Sequence, residues 1–137
     1  MYPEELVKPM RVELTSKGFT ELKNKEEVDS ALGINEGTSL LVINSVCGCA
    51  AGSARPGVLM SLDGEKKPKQ LLTVFAGQDK EATVSAREHL LPYPPSSPAI
   101  GLFRDGELVH MIERHHIEGR SADMIANHLK MAYEQFC

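Results

Sequence analysis

The chain of 137 residues has no tryptophan, few other aromatic residues and no long apolar segment. No stretch approaches the roughly 18 consecutive apolar residues that a membrane-spanning helix needs, so we expect no membrane partner. The first residues are acidic and lack the basic and then apolar pattern of a secretory signal. We therefore expect a cytoplasmic protein.

Positive charge is scarce as well, because 15 lysines and arginines are set against 19 acidic residues, for a formal net charge of −4. No basic cluster opposes this balance, so we expect no nucleic-acid partner. The one short basic stretch, residues 66–69, falls between predicted elements and is interpreted as a solvated loop. The length fits a single domain with one core, and the apolar share of 42% is ordinary for a globular protein.

Cysteine is the third scarce residue, and the chain has only Cys47, Cys49 and Cys137. An odd count fits a framework of structural disulfides poorly. In a reducing compartment, two cysteines this close are more typical of catalysis, redox sensing or metal binding than of a structural link.

The patterning of apolar residues predicts alternating helices and strands. Leu40 to Ile43 is a continuous, branched apolar run, which is typical of a central strand covered on both faces. Asp105-Gly106, between two apolar segments, predicts a hairpin. The predicted elements are a helix over 3–17, a strand over 19–22, a helix from 24 to 33, the strand at 40–43, a helix over 48–62, a strand over 71–76, a helix over 79–90, strands over 99–104 and 107–113, and a helix from 121.

Residues at the helix ends and two prolines refine this prediction. Asn24 with Glu27 forms a capping pair, and Asp79 and Ser121 are predicted N-caps. Pro9 is expected to divide the first helix, and Pro56 to interrupt the helix after the cysteines. The order of elements predicts an α/β fold with a mixed central sheet and helices on both faces.

Cys47-Gly48-Cys49 lies where the central strand ends and the next helix begins. The unpaired N–H groups and the dipole of a helix N-terminus favour thiolate over thiol, and the thiolate is the nucleophile. We predict Cys47, on the exposed edge, as the attacking sulfur and Cys49 as the resolving thiol. Gly48 removes side-chain hindrance between them.

Two other interpretations of the cysteines stay open. Cysteine is often buried as a small apolar residue, although a strand-to-helix junction is not an apolar face. Alternatively, Cys47 and Cys49 with His115 and His116 make a mixed thiolate–imidazole metal site. Paired ligands of structural zinc are usually two to four residues apart, whereas this pair has one residue between. Adjacent histidines on a strand also point to opposite faces. Thiol redox chemistry is the favoured interpretation, with no metal bound.

Longer stretches of the sequence carry a resemblance to a known family. They are NSVCGCAAG at 44–52 with RPG at 55–57, FAGQD at 75–79, YPPSSPAIGLF at 93–103 and HHIEGR at 115–120. Together they resemble a thioredoxin-like fold and, more closely, the bacilliredoxin family, whose members are small bacterial proteins with a Cys-Gly-Cys site. The resemblance covers residues 1–137 as one domain, with an extra N-terminal helix at about 3–17.

This resemblance implies removal of bacillithiol, a low-molecular-weight thiol, from mixed disulfides on client proteins. Cys47 would take the adduct, and Cys49 or free bacillithiol would clear it. No cofactor would be bound; bacillithiol would be the co-substrate, and the partners would be modified clients and the system that reduces bacillithiol. Gly48, Ser97 and Pro98 would contact the substrate, with the Ser97–Pro98 bond cis and the Ser97 backbone free to pair with it.

The sequence departs from thioredoxin itself, since Val46 precedes Cys47 and residues 40–46 contain no carboxylate. These departures favour a glutaredoxin-like role over general disulfide reduction. A disulfide isomerase or oxidant of the same fold, and a carrier of a metal or metal cluster, are the alternatives.

Four further residues carry groups of the kinds that take part in such chemistry. Arg55 is interpreted either as a contact for an anionic ligand or as an exposed helix charge. Cys137, at a mobile terminus, is expected to be a bystander, and His110 and His128 are expected to be packing or surface residues.

Overall fold

The computed structural model describes residues 1–137, and its helices and strands alternate largely as the sequence predicts. In chain order the elements are α1 (Glu4–Thr15), β1 (Thr20–Glu21), α2 (Lys25–Leu32), β2 (Thr38–Asn44), a π-helical turn (Ala50–Ala54), α3 (Arg55–Met60), a 3₁₀ turn (Ser61–Asp63), β3 (Gln70–Phe75), α4 (Lys80–His89), β4 (Ala99–Arg104), β5 (Glu107–Ile112), α5 (Arg114–Ile117) and α6 (Ala122–Phe136).

The five strands form one mixed sheet in the order β1-β3-β2-β4-β5. Strand β2 lies at its centre, parallel to β3 and antiparallel to β4, and β4 and β5 form an antiparallel hairpin. All four residues from Leu40 to Ile43 are fully buried. The prediction of a central strand covered on both faces is confirmed.

Alternate side chains of β2 enter two separate cores. Leu40 and Val42 pack with apolar residues of α1, α3 and α6 on one face of the sheet. Leu41 and Ile43 pack with α2 and α4 on the other face. This alternation is the two-residue period of an extended strand, and it places helices on both sides of the sheet as predicted.

The predicted hairpin and two of the predicted caps are confirmed. Asp105 and Gly106 both have positive φ angles, 53° and 84°, as a two-residue hairpin turn of the primed type requires. The Asn24 side chain accepts a hydrogen bond from the backbone N–H of Glu27 at 2.9 Å. Ser121 accepts one from the N–H of Met124 at 3.2 Å.

The structure corrects the predictions for both prolines. Helix α1 continues through Pro9, because the loss of one N–H donor is offset by burial of Val7 and Leu14 on the same helix. The predicted helix over 48–62 is not interrupted at Pro56, because the backbone stays helical through this residue and into the rest of α3. The irregularity is instead the π-helical turn that precedes α3.

The Asp79 side chain does not cap α4, contrary to the sequence prediction. Its carboxylate is bonded to the Arg11 guanidinium, with the Nη1–Oδ2 distance 2.6 Å. Arg11 is only 5% exposed and also binds Glu4 and Glu21. A buried guanidinium without carboxylate partners would be strongly destabilising. The Asp79 carboxylate therefore pairs with Arg11 and does not cap α4.

Two further features complete the description. Helix α5, between β5 and α6, was not predicted, because four residues are too short to show a helical period. None of the helices combines the length and the apolar character needed to cross a bilayer.

We expect Gly57→Ala to lower the free energy of unfolding by about 1–3 kcal/mol, because overpacking a tight contact costs that much. A Cβ at residue 57 would lie 2.7 Å from Cβ of Ile125 in α6. Gly52→Ala is the matched control, since a Cβ there would meet no atom within 4 Å. Urea denaturation measures both variants, and equal stability of the two would contradict the packing argument.

Candidate active site

Cys47 and Cys49 lie just beyond the end of β2, at the strand-to-helix junction that the sequence predicts. The carbonyl of Cys47 accepts hydrogen bonds from the N–H groups of Ala50 and Ala51, so Cys47 immediately precedes the first helical turn. Both thiols are free and partly exposed. Cys47 lines an open cavity of about 340 Å³, whereas Cys49 packs against the core of the α3 and α6 face.

The two sulfurs are direct neighbours, with the Sγ–Sγ distance 2.6 Å. The backbone N–H of Cys49 also points at the Cys47 sulfur, at 3.4 Å. At the position of a Cβ on Gly48 there is no atom within 4 Å, and Gly48 itself is exposed. The spacer therefore leaves the sulfur pair open to an approaching molecule.

The environment moves the pKa values of the two thiols in opposite directions. The Cys49 thiol, hydrogen-bonded to the Cys47 sulfur, lowers the pKa of Cys47; burial opposes this, while backbone N–H groups and the Arg114 guanidinium add to it. Burial raises the pKa of Cys49, and the neighbouring Cys47 raises it further. Cys47 therefore ionises first, which gives it the nucleophilic form at lower pH.

Arg114 is a site residue that the sequence analysis missed. Its Nη2 lies 3.2 Å from the Cys47 sulfur, its Nη1 donates to the Ser97 carbonyl at 3.1 Å, and its Nε pairs with Glu118. Arg114 comes from α5, which is 67 residues away from Cys47 along the chain. No local pattern signals such a contact.

The Ser97–Pro98 peptide bond is cis, as the resemblance implies, and Ser97 lines the cavity beside Cys47. The Leu91–Pro92 bond is also cis, which was not predicted. The Ser97 carbonyl already accepts one hydrogen bond, from Arg114 Nη1. A carbonyl oxygen can accept a second one, so pairing of the Ser97 backbone with a substrate stays a prediction.

Neither interpretation of Arg55 is correct. The side chain is only 2% exposed and binds protein groups: Nη1 donates to Asn44 Oδ1 and to the Ser45 carbonyl, both at 2.9 Å. Its Nε pairs with Glu13 of α1 at 2.9 Å. The Ser45 hydroxyl in turn accepts from the Cys47 N–H at 3.1 Å. Arg55 thus fixes the backbone that leads into Cys47.

The structure does not bring the cysteines into a common ligand set with His115 and His116. Both histidines belong to α5 rather than to a strand, and their rings lie 4.0 Å apart between centroids. The group of potential metal ligands that they form includes Glu113 and neither cysteine. The mixed thiolate–imidazole site is therefore absent.

His110, His128 and Cys137 do not line the cavity. His110 and His128 bond to one another through their Nε2 atoms at 2.9 Å, which confirms them as a packing pair. Cys137 is exposed at the end of α6 and does not line the cavity.

Comparison with known proteins gives a consistent result. A family profile described as disulphide isomerase matches residues 2–137. The bacilliredoxin of Cytophaga hutchinsonii is 65% identical over 98% of this chain and 99% of its own length. The bacilliredoxin of Halalkalibacterium halodurans is 54% identical over 99% of this chain and 94% of its own.

Comparison with solved structures identifies the fold. Reduced thioredoxin from Schistosoma mansoni superposes with a TM-score of 0.58 at 16% sequence identity, covering 85% of this chain and 96% of that one. The predicted thioredoxin-like fold is confirmed.

We expect Cys47 to be alkylated with a pH midpoint below that of an ordinary cysteine, about 8.5. Cys49→Ala removes the main cause of the lowered pKa, so its midpoint should move up, toward the ordinary value. Iodoacetamide labelling across pH, followed by peptide mass spectrometry of Cys47, measures both. Cys137→Ser is the control and should keep the wild-type midpoint. Identical midpoints in wild type and Cys49→Ala would refute the assignment.

We expect Arg55→Leu to lower the free energy of unfolding by roughly 1–3 kcal/mol, because the variant leaves buried acceptors without their donor. The acceptors concerned are the Ser45 carbonyl and Asn44 Oδ1. Arg120→Leu removes an exposed guanidinium with no side-chain partner and should be close to neutral. If urea denaturation gave both variants the same stability, Arg55 would not hold this loop.

Proposed function

The chain belongs to the bacilliredoxin family and is a thiol oxidoreductase, and from this premise we propose that it removes bacillithiol from mixed disulfides on client proteins. Cys47 is the nucleophile and Cys49 the resolving thiol. Gly48, Ser97 and Pro98 are the contacts for the substrate beside them. Bacillithiol is the co-substrate, and no metal or bound cofactor takes part.

The first step is thiol–disulfide exchange. The Cys47 thiolate attacks the bacillithiol sulfur of the mixed disulfide, the bond to the client sulfur breaks, and the client leaves as a thiolate that takes up a proton. Bacillithiol is now disulfide-bonded to Cys47. No net oxidation occurs in this exchange, because one disulfide bond is replaced by another.

The second step returns Cys47 to its reduced form by one of two routes. In one, the Cys49 thiolate attacks the Cys47 sulfur, releases bacillithiol and leaves an internal disulfide that an external thiol reductant must reduce. In the other, a second bacillithiol attacks the adduct and leaves as bacillithiol disulfide. The reductase system for bacillithiol, in the cytoplasm, supplies the electrons in both routes.

The observation that carries this proposal is the asymmetry of the thiol pair. The sulfur that faces the cavity has the lowered pKa, and the sulfur packed against the core has the raised one. An attacking thiolate needs a lowered pKa and access to the cavity, as Cys47 has. A resolving thiol that stays protonated until the adduct forms needs a raised pKa, as Cys49 has.

A disulfide isomerase is the second candidate, because the matching family profile carries that description. An isomerase attacks a protein disulfide and keeps a client covalently attached while pairings rearrange. It would therefore accumulate a client–protein mixed disulfide where the proposed reaction accumulates a small-thiol adduct. The metal-carrier alternative has no support from the arrangement of His115 and His116.

The test is intact-mass analysis after mixing reduced protein with a model client that carries a bacillithiol mixed disulfide. We expect wild type to free the client. Cys49→Ala should retain bacillithiol on Cys47, because the resolving thiol is missing, and Cys47→Ser should leave the client modified. Cys137→Ser, which alters the third cysteine only, should match wild type.

Three results would count against the proposal. If wild type left the client modified, the activity would be absent. If Cys49→Ala trapped the client polypeptide in place of bacillithiol, the isomerase would be favoured. If Cys47→Ser stayed active while Cys49→Ala did not, the two cysteines would have the reverse roles.

A further inference from the structure

Arg87 of α4 has a buried side-chain nitrogen without a partner. Its Nε is the one fully enclosed side-chain nitrogen or oxygen in the structure that makes no hydrogen bond. The residue is half-buried, and no carboxylate forms an ion pair with it. Enclosing a donor nitrogen without an acceptor is unfavourable, so such a group needs an explanation.

Arg87 lines the same cavity as Cys47. Because its Nε is enclosed, a molecule in the cavity would meet only the terminal Nη nitrogens of Arg87. Arg114 lines the cavity as well, and the two arginines are its only charged lining residues. Each nitrogen of Arg114 already makes one contact, with Glu118, Ser97 and Cys47. Arg87 is the cavity's arginine that has no ion-pair partner, so its charge is the one still unmatched.

Tyr2 also lines the cavity, and it is held in place by Gln78. The Tyr2 N–H donates to Gln78 Oε1, and Gln78 Nε2 donates back to the Tyr2 carbonyl, both at 2.9 Å. Gly77 lies against the ring, since a Cβ at residue 77 would be in van der Waals contact with Tyr2 Cε2 at 3.4 Å. The cavity thus has an aromatic wall, a free cation and a nucleophilic sulfur, in a volume of about 340 Å³.

We propose that this cavity binds the non-sulfur end of an anionic low-molecular-weight thiol, and that Arg87 binds its carboxylate while Cys47 holds its sulfur. The inference rests on the proposed function and specifies the substrate class. A carboxylate supplies the missing counter-ion and accepts charge-assisted hydrogen bonds from Arg87. Arg87 is a specificity-determining residue, and a neutral thiol adduct gains nothing from it.

The test uses one model client carrying three different adducts: mercaptosuccinate with two carboxylates, neutral 2-mercaptoethanol and cationic cysteamine. The client is the same throughout, so any carboxylate of its own is constant. The rate constant for adduct removal is measured for reduced wild type, Arg87→Gln and Arg87→Lys. Arg104→Gln is the control, because Arg104 pairs with Thr38 at the opposite end of β2 from Cys47.

The measured quantity is the ratio of the mercaptosuccinate rate constant to the 2-mercaptoethanol rate constant. We expect Arg87→Gln to lower this ratio roughly tenfold, the effect of one lost charge-assisted hydrogen bond. Arg87→Lys should keep part of the ratio, and Arg104→Gln should keep all of it. Both rate constants in a ratio come from the same protein sample, so a difference in folded fraction between variants cancels. The intrinsic reactivity of each adduct cancels when the ratios of two variants are compared.

The possible outcomes distinguish a failure of this inference from a failure of the proposed function on which it rests. If Arg87→Gln slowed all three adducts equally, or left the ratio at the wild-type value, the assignment of Arg87 as the anion contact would be overturned. If wild type removed none of the adducts, nor bacillithiol from its client, the proposed function itself would fail.

Discussion

The buried guanidinium of Arg55 sets the geometry on which the active site depends. It binds the Asn44 side chain and the Ser45 carbonyl at the end of β2, and it pairs with Glu13 of α1. Because a buried charge is tolerated only with good partners, these groups are held together in one arrangement. The Ser45 hydroxyl then holds the N–H of Cys47. The backbone of the nucleophile is thus held by polar contacts, while its side chain faces the cavity.

Much of the fold was predictable, because the signals concerned are local or periodic. The apolar run Leu40 to Ile43 specified the central strand, Asp105-Gly106 the hairpin, and Asn24 and Ser121 two helix starts. The cysteines were recognisable by spacing and by their place after a strand. Each of these signals occupies a few consecutive residues.

What the sequence did not reveal is the set of contacts between distant polar side chains. Arg114 contacts the Cys47 sulfur, and Arg11 binds the Asp79 carboxylate that was expected to cap α4. Arg55 is buried, although arginine is usually exposed. Such pairs have no period and no fixed spacing, since the tertiary fold alone brings them together. The π-helical turn before α3 was not predicted either, because no residue type in the sequence indicates such a turn.

The charge around Cys47 is opposite to that of the whole protein. The chain has a formal net charge of −4, yet the cavity beside the nucleophile has two arginines and no carboxylate. A local positive potential favours thiolate at Cys47 and draws anions toward it, while the negative remainder of the surface repels them. The positive charge in this cavity therefore favours both ionisation of the Cys47 thiol and the approach of anionic molecules.

The Arg11 cluster has a consequence for anyone who wishes to shorten this domain. A version beginning after residue 18 would keep Glu21 and Asp79 but lose the guanidinium that now pairs with both. It would also lose the Met10 carbonyl that accepts from Asn44, and Glu13, which pairs with Arg55. Helix α1 thus carries the partners that Glu21, Asp79 and Arg55 have inside the fold. A redesigned minimal domain would have to neutralise those carboxylates by substitution.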